Sequence, residues 1–67
     1  MISYEPLLIN LVKRKLTKTM LRESVGFSTA TLAKISKNEY ISMETLENIC
    51  AYLNCNIEDV IKFIPNK

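Results

Sequence analysis

Histidine and tryptophan are absent from this 67-residue chain, glycine occurs once, and proline and cysteine occur twice each. Without histidine the commonest general base near neutral pH is missing. Two cysteines, Cys50 and Cys55, do not make a Cys-x-x-Cys pair and cannot supply a four-ligand zinc site. So little glycine and proline excludes collagen-like, linker-like and disordered chains. No apolar run approaches the ~18 residues of a membrane span. Met1 to Ile9 carries Glu5 and no basic residue, which does not fit a secretory signal. The expectation is one soluble, cytoplasmic domain over residues 1–67, with no membrane partner, metal or cofactor. In a reducing compartment the two cysteines read as small buried hydrophobes rather than as a redox switch or metal site.

What the chain does contain is 48% hydrophobic and 24% charged residues, with a net charge of +2 that is unevenly spread. From Lys13 to Lys37 there are seven basic residues (Lys13, Arg14, Lys15, Lys18, Arg22, Lys34, Lys37) and one acid, Glu23, a net of +6. The remainder sets Lys62 and Lys67 against Glu5, Glu39, Glu44, Glu47, Glu58 and Asp59, a net of −4. A basic block between acidic ends suits a polyanion-binding face; it is equally what a solvated surface with clustered signs looks like. The Glu44/Glu47 and Glu58/Asp59 pairs read as helix-starting or solvated acids, not as a catalytic dyad, so no enzyme is expected.

Periodicity and caps predict an all-α domain of five short helices, with no alternating run or hairpin signal for strands. Pro6 suits the first turn of helix one, whose stripe is Leu8, Leu11, Val12 and Leu16. Thr17 caps a second helix over about Lys18 to Ser24, with Leu21, Met20 and Val25 inward, and Gly26 ends it. Ser28 caps a third over about Thr29 to Ser36, with Leu32 and Ile35 inward. Ser42 caps a fourth carrying Met43, Leu46, Ile49, Cys50 and Leu53 on one side, ended by Asn54. Asn56, with Asp59 at N3, caps a fifth that carries Ile57, Val60 and Ile61 and stops before Pro65.

A capped helix, the turn Val25-Gly26-Phe27 and a second capped helix make a helix-turn-helix. Its third helix keeps small and polar residues outside, as entry into a major groove requires. The run TKTMLRESVGFSTATLAKISKN resembles the helix-turn-helix of the phage-repressor (Cro-like, XRE) family of transcriptional regulators. The matching positions are Thr17, Leu21, Val25-Gly26-Phe27-Ser28 and Leu32, and SMETLENICAYLNCNIEDVI resembles that family's fourth and fifth helices. The resemblance implies a compact five-helix, lambda-repressor-like DNA-binding domain. Arg22 stands where the family usually has Ala, so its long side chain must snorkel out or reach the DNA backbone. Ser36-Lys37-Asn38 replaces the family's usual Glu-Arg-Gly ending.

The resemblance also implies roles. Thr29, Ala30, Ala33 and Lys34 would meet base edges in the major groove, Lys34 donating to guanine O6 and N7 and Ala30 meeting a thymine methyl. Lys18, Thr19, Ser28, Thr31, Lys37, Asn38 and Tyr40 would hold phosphates. The plainer alternatives are that Lys34 is an ordinary exposed lysine and that Tyr40 covers the edge of the core. Arg14 and Lys15 read as solvating the end of helix one. Family members commonly bind as dimers, and Ile2, Tyr4, Ile9, Ile57, Phe63 and Ile64 are the apolar residues left over for such a contact. Sequence-specific binding of double-stranded DNA by a homodimeric regulator is the leading reading. No small-molecule effector is expected. A protein-interaction module on the same fold, antitoxin-like or an anti-repressor, is the alternative.

Overall fold

The computed structural model describes residues 1–65; Lys67, counted in the charge census, lies outside them. In chain order the elements are β1 (Ile2–Ser3), α1 (Glu5–Lys13), α2 (Lys18–Val25), α3 (Thr29–Ser36), α4 (Met43–Leu53), a single 3-10 turn (Ile57–Asp59) and β2 (Lys62–Phe63). The five-helix expectation is therefore corrected to four α-helices, and the strandless one to a two-stranded antiparallel ladder pairing Ile2 with Phe63 and Ser3 with Lys62. No helix among the described residues is long and apolar enough to cross a membrane.

The three central helices begin where their caps put them. Thr17, Ser28 and Ser42 accept from the backbone N–H of Met20, Thr31 and Thr45 at 3.0, 3.1 and 3.1 Å, satisfying one otherwise orphaned donor in each first turn. Their far ends, and that of α1, turn through the left-handed region at Lys15, Gly26, Asn38 and Asn54. At Lys15, Asn38 and Asn54 the next residue closes a Schellman bond: Leu16 N to Leu11 O, Glu39 N to Lys34 O and Cys55 N to Cys50 O, at 2.8–3.0 Å.

The fifth segment departs from expectation for a reason visible at the start of α1. Asn56 N donates to Asp59 Oδ2 at 3.2 Å, as the capping pattern predicts, yet the turn does not propagate. Val60 instead gives its carbonyl to Leu7 N at 3.2 Å, and Ile64 N donates to Met1 O at 2.9 Å. Ser3 Oγ takes Glu5 N at 3.1 Å, Pro6 has no N–H, and Tyr4 O takes Leu8 N. The free donors of α1 are thus all paired, and a helical Val60 would withdraw one acceptor. Lys62 Nζ lies 2.8 Å from Glu5 Oε1, an exposed ion pair that ties β2 to the same helix end.

Anchoring the N-terminus this way also resets the phase of α1. Its buried stripe is Leu7 and Leu11, continuing from Tyr4, whereas Leu8 (38%) and Val12 (76%) are exposed. Of the expected stripe of Leu8, Leu11, Val12 and Leu16, Leu11 is buried as expected, and Leu16 packs on the core from the loop that follows the helix end at Lys13. The core consists of Ile2, Tyr4, Leu7, Leu11, Leu21, Ile35, Leu46, Ile49, Leu53 and Val60. Ile2 and Tyr4 were expected at a dimer contact and are core residues, the first held by strand pairing and the second by two hydrogen bonds described below. Met20 and Met43, expected inward, are exposed. No buried side-chain polar atom lacks a partner among the described residues.

Candidate nucleic-acid interface

The α2–turn–α3 unit positions the residues singled out above. Gly26 N donates to Arg22 O at 2.7 Å while Gly26 itself sits at φ 94°, which glycine adopts freely and other residues rarely do. A Cβ built there would meet nothing within 4 Å, so substitution costs only backbone strain. Gly26→Ala is expected to lower stability by about 1–2 kcal/mol in urea unfolding while leaving the folded circular dichroism spectrum unchanged. A loss of helix in the folded baseline would show that the turn needs more than this one torsion.

Leu21 and Ile35 are buried between the helices, Val25 and Phe27 pack half-buried against that core, and Leu32, expected inward, is half-buried. The turn therefore spends its apolar residues inward and leaves the other side of α3 polar. Thr29, Ala30, Ala33 and Lys34 are all exposed, with no other part of the described chain covering them. Two methyl groups between a hydroxyl and an ammonium form a thin wall that allows close approach.

The expected phosphate contacts surround this face but are not all equally free. Lys18, Thr19, Lys37 and Tyr40 are exposed; Tyr40, at 73% exposure, does not cover the core edge. Ser28 and Thr31 are partly occupied with each other: Ser28 Oγ caps Thr31 N, and the two hydroxyl oxygens lie 3.2 Å apart. Lys18 Nζ donates to Ser36 Oγ at 3.3 Å, bringing the start of α2 against the end of α3. Asn38, at φ 57°, gives its Oδ1 to Tyr4 N at 3.0 Å, which leaves only its amide N–H₂ for an outside acceptor. Tyr4 in turn donates its hydroxyl to Glu39 O at 2.7 Å. Burial pushes that hydroxyl's pKa up, and the Ile41 backbone offsets part of the shift, so Tyr4 remains a neutral donor.

Sequence reasoning missed this last pair of bonds. Together they fix the loop after α3 to the N-terminal segment, so α3 is held from both ends: by the Ser28 cap and by Tyr4. Nothing in the local pattern pointed to it, although an Asn closing a helix is a known left-handed position. Ser36 was also missed, as the partner of Lys18. Arg22, whose fate the sequence left between snorkelling and reaching DNA, folds back across the turn with Nη1 3.5 Å from Phe27 O.

The electrostatics favour an anion. The Lys62–Glu5 pair is the only salt bridge among the described residues, so none of the seven cations from Lys13 to Lys37 is neutralised by a contacting carboxylate. Arg14 is held by a neutral partner, its Nε donating to Asn10 Oδ1 at 2.7 Å. Among the described residues no group of three His, Cys, Asp or Glu side chains is arranged to hold a metal ion.

Three comparisons bear on this arrangement. The model of the Cro/C1-type HTH DNA-binding domain matches residues 7–66. The chain is 39% identical over 57 residues to the uncharacterized HTH-type transcriptional regulator YozG of Bacillus subtilis (strain 168), a match covering 82% of this chain and 68% of that protein. It is also similar to the crystal structure of the transcriptional regulator VanUg, form II, with a TM-score of 0.94 at 45% identity, covering 97% of this chain and 87% of that one.

Proposed function

The chain belongs to the Cro/C1-type helix-turn-helix DNA-binding domains, a family of transcriptional regulators rather than of enzymes, and from that premise we propose how it reads DNA. The whole chain serves as one domain that binds a specific double-stranded sequence as a homodimer, α3 of each copy entering a major groove. The observation that carries this reading is the uncovered polar face of α3, bordered by cations that no acid among the described residues neutralises.

In this reading Lys34 reads a guanine edge, Thr29 a base or a neighbouring phosphate, and Ala30 and Ala33 pack on the groove floor, where a thymine methyl fits. Lys18, Thr19, Lys37 and Tyr40 hold phosphates on either side. Ser28 and Thr31 add the first-turn amides and the positive end of the α3 dipole, and Asn38 adds one amide N–H₂. A single module of this size makes few base contacts, so two copies on half-sites about 34 Å apart supply the discrimination. Of the apolar residues expected at the dimer contact, Ile9, Ile57, Phe63 and Ile64 are exposed and available for it.

Selection of bound fragments from a random duplex pool tests the proposal directly. The expected product is an enriched, two-fold symmetric motif whose affinity falls steeply with salt as counterions are released, by about 10³-fold or more between 50 and 200 mM for six or more phosphate contacts. A pool that stays random, or a protein that retains no duplex at low salt, would overturn it and favour an interaction module on the same scaffold.

A further inference from the structure

The sequence treats Cys50 and Cys55 as unrelated small hydrophobes, and the fold brings them together. The Schellman bond that ends α4 joins these two residues, Cys55 N donating to Cys50 O at 3.0 Å. Both side chains are half-buried free thiols on the edge of the core. In such a helix ending, residues five apart are brought side by side, the spacing at which a hydrophobic contact ordinarily forms. Here the contacting groups are oxidisable.

Cys55 also has access to solvent. It lines an open groove of about 650 Å³ between α1 and the junction of α4 with the 3-10 turn. Glu5 and Lys13 line it from α1, Arg14 from just past the end of that helix, and Glu58 and Asp59 from the turn. Charges of both signs in one groove suit a zwitterionic ligand, carrying ammonium and carboxylate groups together. Neither the groove nor the thiols belong to the α3 face, so this reading stands apart from DNA recognition.

We propose that Cys50 and Cys55 form a thiol–disulfide exchange site, oxidised to an intrachain disulfide by a small zwitterionic disulfide that enters the groove. The Cys55 thiolate attacks one sulfur of the small disulfide; a mixed disulfide forms and one small thiolate leaves, taking up a proton. The Cys50 thiol then loses its proton and attacks the Cys55 sulfur, releasing the second small thiol and forming the Cys50–Cys55 bond. The two cysteines lose two electrons and two protons in all, and the small disulfide gains them as two thiols. Burial above all, then the Cys55 thiol and the Asp59 carboxylate, push the Cys50 pKa up. That suits Cys50 to the second step, where proximity compensates for a small thiolate fraction.

The test uses the full chain in a mildly alkaline buffer of oxidised glutathione, read by intact mass. The expected product is a monomer lighter by two hydrogen atoms, with no glutathione retained, and restored by a dithiol reductant. The variant Cys50→Ser should instead trap one glutathionyl group on Cys55. A wild-type chain that keeps glutathione, cross-links to a second chain, or does not change mass would overturn the proposal. A Cys50→Ser protein that folds, as judged by circular dichroism, and stays unmodified would overturn the assignment of Cys55 as the first nucleophile.

Discussion

Leu21→Ala is expected to cost about 2–5 kcal/mol of stability. Leu21 is 1% exposed and shares one core with Ile35, Leu46 and Ile49, so it joins α2 to both α3 and α4. Cutting its isobutyl group back to a methyl forfeits the transfer energy of three carbons and leaves a cavity that three helices must collapse into. A 67-residue domain has only about 3–10 kcal/mol in total to lose. The variant should therefore show a sharply lowered urea midpoint and, at physiological temperature, a substantial unfolded fraction. Met20→Ala, one residue away and exposed, should change stability by no more than about 0.5 kcal/mol. Matching midpoints for the two variants would mean that α2 does not pack as described. Loss of DNA binding by Leu21→Ala should follow the folded fraction and be recovered by adding protein, which distinguishes it from the loss of a contact.

Lys34→Ala should behave in the opposite way, leaving the fold intact and changing what is read. Its side chain is exposed and makes no ion pair, and its contribution to the fold is through its backbone, whose carbonyl accepts from Lys37 N and Glu39 N. Stability should stay within about 0.5 kcal/mol. Affinity for the selected motif should fall by about 1–3 kcal/mol per half-site, roughly 5- to 150-fold, and the loss should vanish for motifs altered at one base position. In a symmetric dimer both half-sites lose the contact, so the total approaches about 2–6 kcal/mol if the two are independent. Lys37→Ala serves as the comparison: a phosphate contact weakens all duplexes alike and reduces the salt slope by about one. Uniform weakening by Lys34→Ala, with no change in base preference, would remove Lys34 from the role of reader.

How much of this was legible follows from the range of each interaction. Thr17, Ser28 and Ser42 could be recognised as caps because a cap bonds an N–H three residues ahead. The α3 bounds from Thr29 to Ser36, read from Ser28 and the periodicity, coincide with those of the structure. Gly26 ends α2 for the same local reason, and Leu46, Ile49 and Leu53 are buried on the expected side of α4. The polar outer face of α3 was legible once those bounds were known. In α1 the same reasoning failed, because the start of the helix and its phase depend on Tyr4, whose position is set by bonds to Asn38 and Glu39 lying 34 and 35 residues away. The end of the chain failed likewise: the turn begun at Asn56 stops at Asp59, and pairing of Lys62 and Phe63 with Ser3 and Ile2 takes the chain into a strand instead.

The amino-acid sequence alone determined the helix-turn-helix, its caps, its turn and the cations around it, since each depends on torsions and hydrogen bonds within about one helical turn. Tertiary structure alone decided where the terminal segments lie, which side of α1 is buried, and that Tyr4 clasps the loop after α3. Those outcomes depend on which distant acceptor satisfies a donor freed at a helix end, and a local pattern carries no record of its partner across the fold.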